Sequence, residues 1–358
     1  MTLFTVGPVQ MHASTLEIAG RQLPYFRDAD FSKINQNIAW NIKCLLNAPE
    51  SAGTVLLTAS GTGAMEATVM NLFNASDKLL VINGGSFGNR FCEICDRHSI
   101  GYTSIPLEFG EVLTETHLSQ YDGKGFSGLL VNIHETSTGQ LYDIEMLADF
   151  CHRNHLLFVV DAISSFLADA FDFSEYNVDA VIISSQKALA LSPGLSTVVL
   201  SERALRRVEK QEKRSIYFDF NLYLKDIVRG QTPFTPAVGI LLEMDARIRE
   251  IMKTGVESIV EQTALRAFYF RERIKSFSIK VPVFPLSNAL TPILFDGNAK
   301  EIYQTLKEKY GLVLTPSGGS LADKMLRVGH LGALTHSDYD KLSEALTSVC
   351  GGKQSCLL

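Results

Sequence analysis

The first half of the chain alternates short apolar runs with amphipathic stretches, from about residue 54 to about residue 200. The apolar runs are largely free of charge, as is typical of strands buried on both faces of a sheet. They are Thr54–Thr58, Leu79–Ile82, Leu129–Ile133, Leu156–Val160 and Ala180–Ile183, with a further strand at Thr197–Leu200. Helices are predicted between several of them, at Gly63–Phe73, Phe87–His98 and Ile144–Asn154. This alternation predicts an α/β fold with a mainly parallel sheet flanked by helices.

Beyond residue 200 the pattern becomes mostly helical. Helices are predicted at Ser201–Lys213, Pro236–Thr254, Glu257–Phe277, Ala299–Tyr310 and Ser337–Ser348. Three further runs predict strands of a second sheet, at Lys280–Phe284, Ala289–Phe295 and Leu312–Leu314. We therefore expect a large domain over residues 1–254 and a smaller C-terminal α+β domain over residues 255–358.

Composition and charge narrow the class of protein. The chain has 358 residues, of which 46% are hydrophobic and 20% charged, with a net charge of -6. No basic run suggests nucleic-acid binding, and no apolar run reaches the roughly 18–20 residues that span a bilayer. Met1–Met11 lacks the basic and apolar regions of a signal peptide. These features predict a soluble, cytoplasmic protein.

The six cysteines do not suggest a metal site. Cys92 and Cys95 form one C-x-x-C pair on a predicted helix, and no second pair lies at zinc-binding spacing. We therefore expect free thiols in a reducing compartment and no bound metal.

One lysine and one aspartate lie at the ends of predicted buried strands. Lys187 follows Ala180–Ile183, where burial of an ammonium is costly and where lysines form Schiff bases with a lowered pKa. Asp161 follows Leu156–Val160, at the carboxyl end where parallel sheets bind ligands. The alternatives are a lysine that extends into solvent and an aspartate that caps a helix.

A third feature favours phosphate. Ser60, Gly61 and Thr62 follow the first strand and open a helix, where free backbone N–H groups and the helix dipole attract anions. Because all three features follow strand ends, we expect them to meet in one crevice. Together they would provide a phosphate cradle, a carboxylate for a ring nitrogen and an amine for an aldehyde. Pyridoxal 5′-phosphate (PLP) needs that set.

The sequence also resembles a known family. The segments Thr5–Val9, His134–Gly139, the Ser-Gln-Lys-Ala-Leu stretch around Lys187 and Leu326–Gly332 resemble class V aminotransferases, which are fold-type I PLP enzymes. The resemblance is strongest to the alanine–glyoxylate, serine–pyruvate and 2-aminoethylphosphonate–pyruvate aminotransferases. It covers nearly the whole chain.

The resemblance implies a role for each matching residue. Lys187 would bind the cofactor and move the proton, and Asp161 would face the ring nitrogen. Arg327 would bind the substrate carboxylate, near an N-terminal segment of about residues 1–15 in which Gly7 lines the substrate pocket. The remaining cofactor contacts implied are Ser60, Gly61, Thr62, Phe87 stacked on the ring, Thr136 near the phenolic oxygen, and Gln186.

The resemblance further implies a homodimer with shared active sites. Thr235 lies in a segment that reaches the phosphate of the neighbouring subunit in relatives. Thr232 stands where some relatives have tyrosine. No role follows from the sequence for Thr232, or for His134 and Glu135, which are expected to be structural.

The implied reaction moves an amino group from alanine, serine or 2-aminoethylphosphonate to pyruvate or glyoxylate. The alternatives are another PLP reaction, such as that of a cysteine desulfurase or a lyase, and a protein that kept the fold without activity. Residues 314–327 contain no cysteine for desulfuration, and Phe87 stands where desulfurases usually have histidine. Lys187 and Asp161 are both present, which disfavours an inactive protein.

Overall fold

The computed structural model describes residues 1–275, 277 and 279–351. Cys356 and the end of the predicted C-terminal domain lie outside the described residues. The chain begins with a short strand and two helices, which are β1 (Thr2–Leu3), α1 (Ala13–Ala19) and α2 (Ala29–Leu45).

Nine strands and four helices follow in alternation up to residue 200. They are β2 (Gly53–Leu57), α3 (Gly61–Leu72), β3 (Lys78–Asn83), α4 (Ser86–Arg97), β4 (Gly101–Pro106), α5 (Glu115–Ser119), β5 (Gly128–Asn132), β6 (His134–Glu135), β7 (Gln140–Leu141), α6 (Ile144–Arg153), β8 (Leu157–Asp161), β9 (Ala180–Ser184) and β10 (Ser196–Leu200).

The rest of the described chain is mostly helical. Its elements are α7 (Glu202–Lys210), α8 (Phe220–Ile227), α9 (Val238–Thr254), α10 (Val256–Ile274), β11 (Leu290–Leu294), α11 (Ala299–Tyr310), β12 (Leu312–Val313), β13 (Thr315–Pro316), a 3₁₀ turn at Gly319–Leu321, β14 (Met325–Gly329) and α12 (His336–Gly351).

Seven strands form the central sheet, in the order β2-β10-β9-β8-β5-β3-β4. All neighbouring strands are parallel except that β10 runs antiparallel to both β2 and β9. The sequence-based prediction of a mainly parallel α/β sheet is confirmed. The carboxyl ends of β5, β8 and β9 therefore lie side by side, which is where ligand sites form in such sheets.

Alternation of side chains along the strands produces two hydrophobic layers. On β3, Leu80 and Ile82 pack into the layer that contains α2, α6 and α9, whereas Leu79 and Val81 pack into the layer with α3 and α4. Both faces of the sheet are thus covered, and each fully buried aliphatic side chain contributes roughly 1.5–3 kcal/mol of transfer free energy. This explains why the strands appear in the sequence as continuous apolar runs.

A third hydrophobic cluster lies in the C-terminal part. It combines Phe270 of α10, Leu306 of α11, Leu326 of β14 and Leu342 of α12 with Phe4 of the N-terminal segment. The N-terminus joins this cluster because β1 pairs in parallel with β12. Gly255 separates α9 from α10 with φ +92°. The domain boundary at residue 255 stays a prediction.

Some strands departed from the expectations. Lys280–Phe284 is not a strand, since apart from a single bridge between Lys280 and Leu294 it makes no ladder. Pro282 lies in this run and Pro285 follows it, and proline removes the N–H that a ladder requires. Conversely, β4 and β14 were not predicted. β4 lies at the sheet edge and is only partly buried, so its sequence lacks a continuous apolar run.

Candidate active site

Lys187 lies beyond the carboxyl end of β9 and is half-buried. Its Nζ donates a hydrogen bond to the backbone carbonyl of Val6 at 2.7 Å. Burial lowers the pKa of Lys187 to about 8, with Asp161 opposing and Arg327 adding to the effect. A larger share of this amine is therefore neutral near pH 7 than for an exposed lysine.

Asp161 is the last residue of β8, and its side chain is buried. Its Oδ1 accepts a hydrogen bond from the backbone N–H of Ile163 at 2.8 Å. Burial raises the pKa of Asp161 to about 7, although the Ile163 N–H and the positive charge of Lys187 oppose this. Within the described residues no cation forms an ion pair with this carboxylate, so it would be stabilised by a cationic N–H placed against it.

The start of α3 forms a turn suited to an anion. Ser60 is the N-cap, and its Oγ accepts a hydrogen bond from Gly63 N–H at 3.3 Å. A Cβ added at Gly61 would lie 2.5 Å from Cδ1 of Ile163, so the helix backbone packs directly beside the loop after Asp161. Because the first N–H groups of a helix have no acceptor within it, this turn can bind a phosphate.

Phe87 and Arg90 lie on the first turn of α4, facing the α3 turn. The guanidinium of Arg90 stacks over the Phe87 ring at 5.3 Å from its centroid. Arg90 Nη1 also donates to Oγ1 of Thr62 at 2.9 Å. These contacts place the aromatic ring and a positive charge beside the candidate phosphate turn.

Glu135 holds the start of α4 in place. Its carboxylate is fully buried and accepts hydrogen bonds from the backbone N–H groups of Phe87 at 3.2 Å and Gly88 at 3.0 Å. Asn132 Nδ2 donates to it at 2.9 Å, and the Ser137 N–H at 3.0 Å. A carboxylate is favoured at a helix N-terminus. Glu135 is therefore a positioning residue for Phe87.

The approach of Glu135 to α4 depends on glycine. A Cβ added at Gly85 would lie 2.3 Å from Ser137 Oγ and 2.6 Å from Cδ of Glu135. Any larger residue at Gly85 would therefore push the Glu135 loop away from the helix.

Thr136 belongs to a buried hydroxyl chain. Its Oγ1 lies 2.7 Å from Ser164 Oγ, which lies 2.9 Å from Nδ1 of His134. Burial lowers the pKa of His134 to about 3, and the nearby charge of Lys187 adds to the effect. His134 is thus neutral at physiological pH. The hydrogen-bonded series of Thr136, Ser164 and His134 therefore carries no charge.

Arg327 lies at the middle of β14 and joins the site from the C-terminal sheet. Its Nη1 donates to the Thr136 carbonyl at 2.8 Å and its Nη2 to the Pro316 carbonyl at 2.6 Å. Its Nε is buried without a partner. Among the residues that the structure describes, no carboxylate forms an ion pair with it, so the guanidinium is oriented by neutral groups and can accept an anion.

The other predicted contacts differ in placement. Gln186 is held by Ser184, whose Oγ donates to Gln186 Oε1 at 2.7 Å, which leaves the amide Nε2 free to donate. Gly7 has φ +139°, and a Cβ there would lie 2.6 Å from Cδ of Lys187. Thr235 is exposed and is not brought into contact with the other predicted residues. The hydroxyl of buried Thr232 donates to the Phe234 carbonyl at 2.7 Å.

The comparison with known families is decisive at this point, because the model of class V aminotransferases matches residues 22–320. The chain belongs to the class V aminotransferases. The L-aspartate–glyoxylate aminotransferase of Paracoccus denitrificans (strain Pd 1222) is 27% identical, covering 93% of this chain and 87% of that one. A protein named soluble hydrogenase, small subunit, from Synechococcus sp. (strain PCC 6716) is 28% identical, covering 97% and 92% of the two chains.

Solved structures agree with this assignment. The aspartate aminotransferase of subgroup IV from Thermus thermophilus superposes with a TM-score of 0.90 at 27% identity, covering 98% of this chain and 99% of that one. The fold is therefore that of fold-type I PLP enzymes, and this aminotransferase is PLP-dependent, like its family.

The residues of this aminotransferase fit PLP. A buried carboxylate without a cationic partner (Asp161) suits a protonated pyridine nitrogen, and the α3 turn suits the phosphate. Lys187, with its lowered pKa, suits the aldehyde. The ring would lie near Phe87, whose position Glu135 fixes.

Several residues of the site were missed by sequence reasoning. Glu135 and His134 were noticed within His134–Gly139, but their contacts join segments about 50 residues apart, as between Glu135 and Phe87. Arg90 and Ser164 had no sequence signal of their own. The Val6 carbonyl could not be found from side-chain patterns at all.

Two further properties of the described residues concern membrane-spanning helices and metal-binding groups. No helix among them has the length and hydrophobicity to cross a membrane. Over the same residues, no three side chains from histidine, cysteine, aspartate or glutamate are grouped to bind a metal. The C-x-x-C pair lies on α4 as free thiols.

Proposed function

We propose that this aminotransferase moves an amino group from a small donor to a small 2-oxo acid. The donors we favour are alanine, serine and 2-aminoethylphosphonate, and the acceptors are pyruvate and glyoxylate. The names of relatives add aspartate to the donors that require testing and support glyoxylate as acceptor. The observation that carries the proposal is the unpaired guanidinium of Arg327 on the same site as Lys187.

Arg327 would bind the carboxylate of the acceptor and, in turn, that of a donor that carries one. The carbonyls of Thr136 and Pro316 hold two of its nitrogens, so its orientation is set before the substrate arrives. Pre-orientation lowers the entropy lost on binding. With alanine or serine as donor, both half-reactions involve a carboxylate with an amine or oxo group at the adjacent carbon, so one arginine can serve both. 2-Aminoethylphosphonate would instead present its phosphonate to the guanidinium.

Lys187 would move the proton. The lowered pKa of Lys187 lets its Nζ take a proton from the donor carbon. The same amine would then return the proton to the cofactor carbon. The Val6 carbonyl orients this amine when it is free. Because Gly7 has no side chain, it leaves the space that the Lys187 side chain occupies.

Asp161 and Glu135 would prepare the ring environment. PLP, when bound, supplies an electron sink for the charge that develops as the proton leaves. Asp161 would keep a proton on the ring nitrogen by placing a buried negative charge against it. Glu135 would orient Phe87 through the first turn of α4.

The experiment is a donor panel with wild-type protein and two variants. We expect amino transfer from at least one proposed donor to pyruvate or glyoxylate, detected as the new amino acid. Arg327→Gln should raise the KM for carboxylate substrates by about 10- to 100-fold, the loss expected for a charge-assisted hydrogen bond. Arg327→Lys keeps the positive charge and tests whether substrate binding also needs the planar, two-pronged geometry of the guanidinium.

The outcomes are distinct. An unchanged KM in Arg327→Gln would remove the arginine from substrate binding. Sulfide release from cysteine without amino transfer would instead favour the desulfurase alternative, for which no feature of the site speaks. The cofactor absorbance of both variants serves as the control for an intact site.

The assembly and location belong to the same proposal. We infer a homodimer in which Thr235 reaches the neighbouring site, because this residue is exposed on the single chain and lies in a segment that resembles the one reaching the partner's phosphate in relatives. We also infer a cytoplasmic location from the sequence features described above.

A further inference from the structure

A small cavity of about 40 Å³ lies beside Ala188, the residue that follows Lys187. The charged and imidazole side chains of its lining come from three parts of the chain: His12 of the N-terminal segment, Arg247 of α9, and Arg266 on α10. It is separate from the candidate phosphate turn and from Arg327, neither of which lines it.

Two polar atoms beside the cavity lack a hydrogen-bond partner: Arg247 Nε is a donor, and His12 Nε2 is one in the Nε2–H tautomer. Both atoms are buried. Arg266 Nε donates to the His330 carbonyl at 2.9 Å, and its Nη2 donates to Oγ1 of Thr263 at 3.0 Å. A buried donor without an acceptor is unfavourable, so His12 Nε2 and Arg247 Nε point to a missing ligand.

The local charge is positive. Arg247 pairs with Glu250 at 3.0 Å, whereas among the described residues no carboxylate forms an ion pair with Arg266. Burial lowers the pKa of Arg266, and the charge of Arg247 contributes. Burial also lowers the pKa of His12 to about 4, so this side chain is neutral near pH 7. Two guanidiniums therefore face one carboxylate.

We propose that this cavity binds a small monovalent inorganic anion of the chloride class, held by His12, Arg247 and Arg266. An anion accepts hydrogen bonds from every side and neutralises the excess charge. The space exceeds the roughly 10–15 Å³ that one water requires, and is sufficient for one such ion.

The anion would attach the N-terminal segment to both neighbouring helices. That segment already docks through the Gln10 carbonyl, which accepts from Ala333 N–H at 2.9 Å, and carries the Val6 carbonyl that orients Lys187. Occupancy of the cavity therefore stabilises the folded position of the segment. The proposal does not depend on which substrates the enzyme uses.

The direct test is a crystal grown with bromide in place of chloride, measured at the bromine absorption edge. The expected result is an anomalous peak between His12 Nε2 and Arg247 Nε. Ordered water there, or anomalous peaks on the surface alone, would overturn the proposal.

The solution test compares thermal unfolding in chloride and in gluconate at equal ionic strength. Chloride should raise the Tm of the wild type by a few degrees, because a ligand that binds only the folded state stabilises it. Arg247→Met and His12→Leu should lose this difference. Arg249→Met is the matched control, since Arg249 lies on the same helix, is exposed and pairs with Asp245. An equal shift in all four proteins would show a general salt effect and contradict the site.

Discussion

Single residues of this site carry charges that lack their usual partners. Asp161 is buried with one N–H donor, Lys187 rests on a carbonyl, and Arg327 rests on two. Each arrangement becomes more favourable when a complementary group binds: a cationic N–H at Asp161, an aldehyde at Lys187 and an anion at Arg327. Strongly shifted ionisable groups of this kind cluster at functional sites.

Asp161 provides a pH test of this account. Because its pKa is raised to about 7 in the folded protein, the folded state binds this proton more tightly than the unfolded state. The stability of cofactor-free protein should therefore fall, on account of this group, as pH rises from about 4 to about 7. We expect cofactor-free Asp161→Asn to melt a few degrees above wild type at neutral pH and above, with the gap closing in acid.

The measurement is calorimetry of both cofactor-free proteins across that pH range. A gap that widens towards acid would contradict the raised pKa. The same variant should bind PLP more weakly, so its stability and its cofactor affinity should change in opposite directions.

Glu135 provides a test of positioning. In Glu135→Gln the amide would present hydrogens to the N–H groups of Phe87 and Gly88, and the first turn of α4 should loosen. We expect PLP retention to fall about tenfold, as for a lost charge-assisted hydrogen bond. Dialysis followed by the cofactor absorbance measures retention.

The matched control is Glu93→Gln, because Glu93 is an exposed carboxylate on the same helix, bonded to Asn89. If both variants retain PLP as wild type does, Glu135 has no positioning role. A change in the shape of the cofactor band in Glu135→Gln alone would separate positioning from lost stability.

Sequence reasoning reached some of these residues and not others, for a physical reason. Lys187 and Asp161 were visible because a charge after an apolar run is costly and therefore informative. Glu135 and Arg90 act through contacts with distant segments, and their own sequence surroundings are ordinary. The His134–Gly139 motif indicated that this segment belongs to the site, but it did not indicate that Glu135 positions Phe87.

At the scale of elements, two helix starts define the cofactor side of the site. The α3 turn offers free N–H groups, whereas the α4 turn has its N–H groups bound by Glu135. The start of α3 can thus bind an anion, whereas the positive end of the α4 dipole already faces the Glu135 carboxylate. The N-terminal segment completes the opposite side through Val6 and Gly7.

The N-terminal segment provides a prediction at Gly7. Its φ is +139°, and a Cβ added there would lie 2.6–2.8 Å from side-chain atoms of Lys187. Gly7→Ala should therefore strain the turn and displace the lysine. We expect kcat to fall at least about tenfold, while the fold is retained.

Gly20→Ala is the control, since Gly20 has φ -87° and no atom closer than 3.8 Å to an added Cβ. Steady-state kinetics of both variants measures the effect. Normal kcat in Gly7→Ala would mean that Lys187 does not depend on this turn.

The sheet elements show where the hydrophobic pattern suffices and where it fails. β5, β8, β9 and β10 are buried at every residue, so their apolar runs revealed them. β14 was missed, although it carries Arg327, because arginine interrupts a run of only five residues. The run at 280–284 has the hydrophobicity of a strand, but Pro282 within it and Pro285 after it each lack the N–H that a ladder requires.

At the scale of the whole molecule, the site gathers residues from both ends of the chain. The pairing of β1 with β12 brings the N-terminal segment with Val6 to the C-terminal part, and the bond from Arg327 to the Thr136 carbonyl joins the C-terminal sheet to the loop between β6 and β7. Within the single chain, Thr235 does not contact these residues. In a dimer it would reach the phosphate side of the partner's site.

A complementation experiment tests the shared site. Lys187→Ala and Thr235→Glu should each be poorly active alone. In a mixed dimer, the subunit with Thr235→Glu keeps its lysine and receives an intact Thr235 from its partner, so one of two sites should recover. Two affinity tags isolate the mixed species.

The absence of recovery would contradict a site shared through Thr235, provided that each variant alone remains dimeric by sedimentation. Recovery requires that the threonine act across subunits, since within one subunit neither site would be complete.

The central claim is that Lys187 is the residue that holds the cofactor, and peptide mapping after borohydride reduction tests it most directly. Borohydride fixes PLP to the amine that binds it, and mass spectrometry then locates the added mass. The account predicts the addition on the peptide that contains Lys187, with loss of the visible absorbance band and no addition in Lys187→Ala. Addition on another lysine, or none in protein that carries PLP, would contradict it.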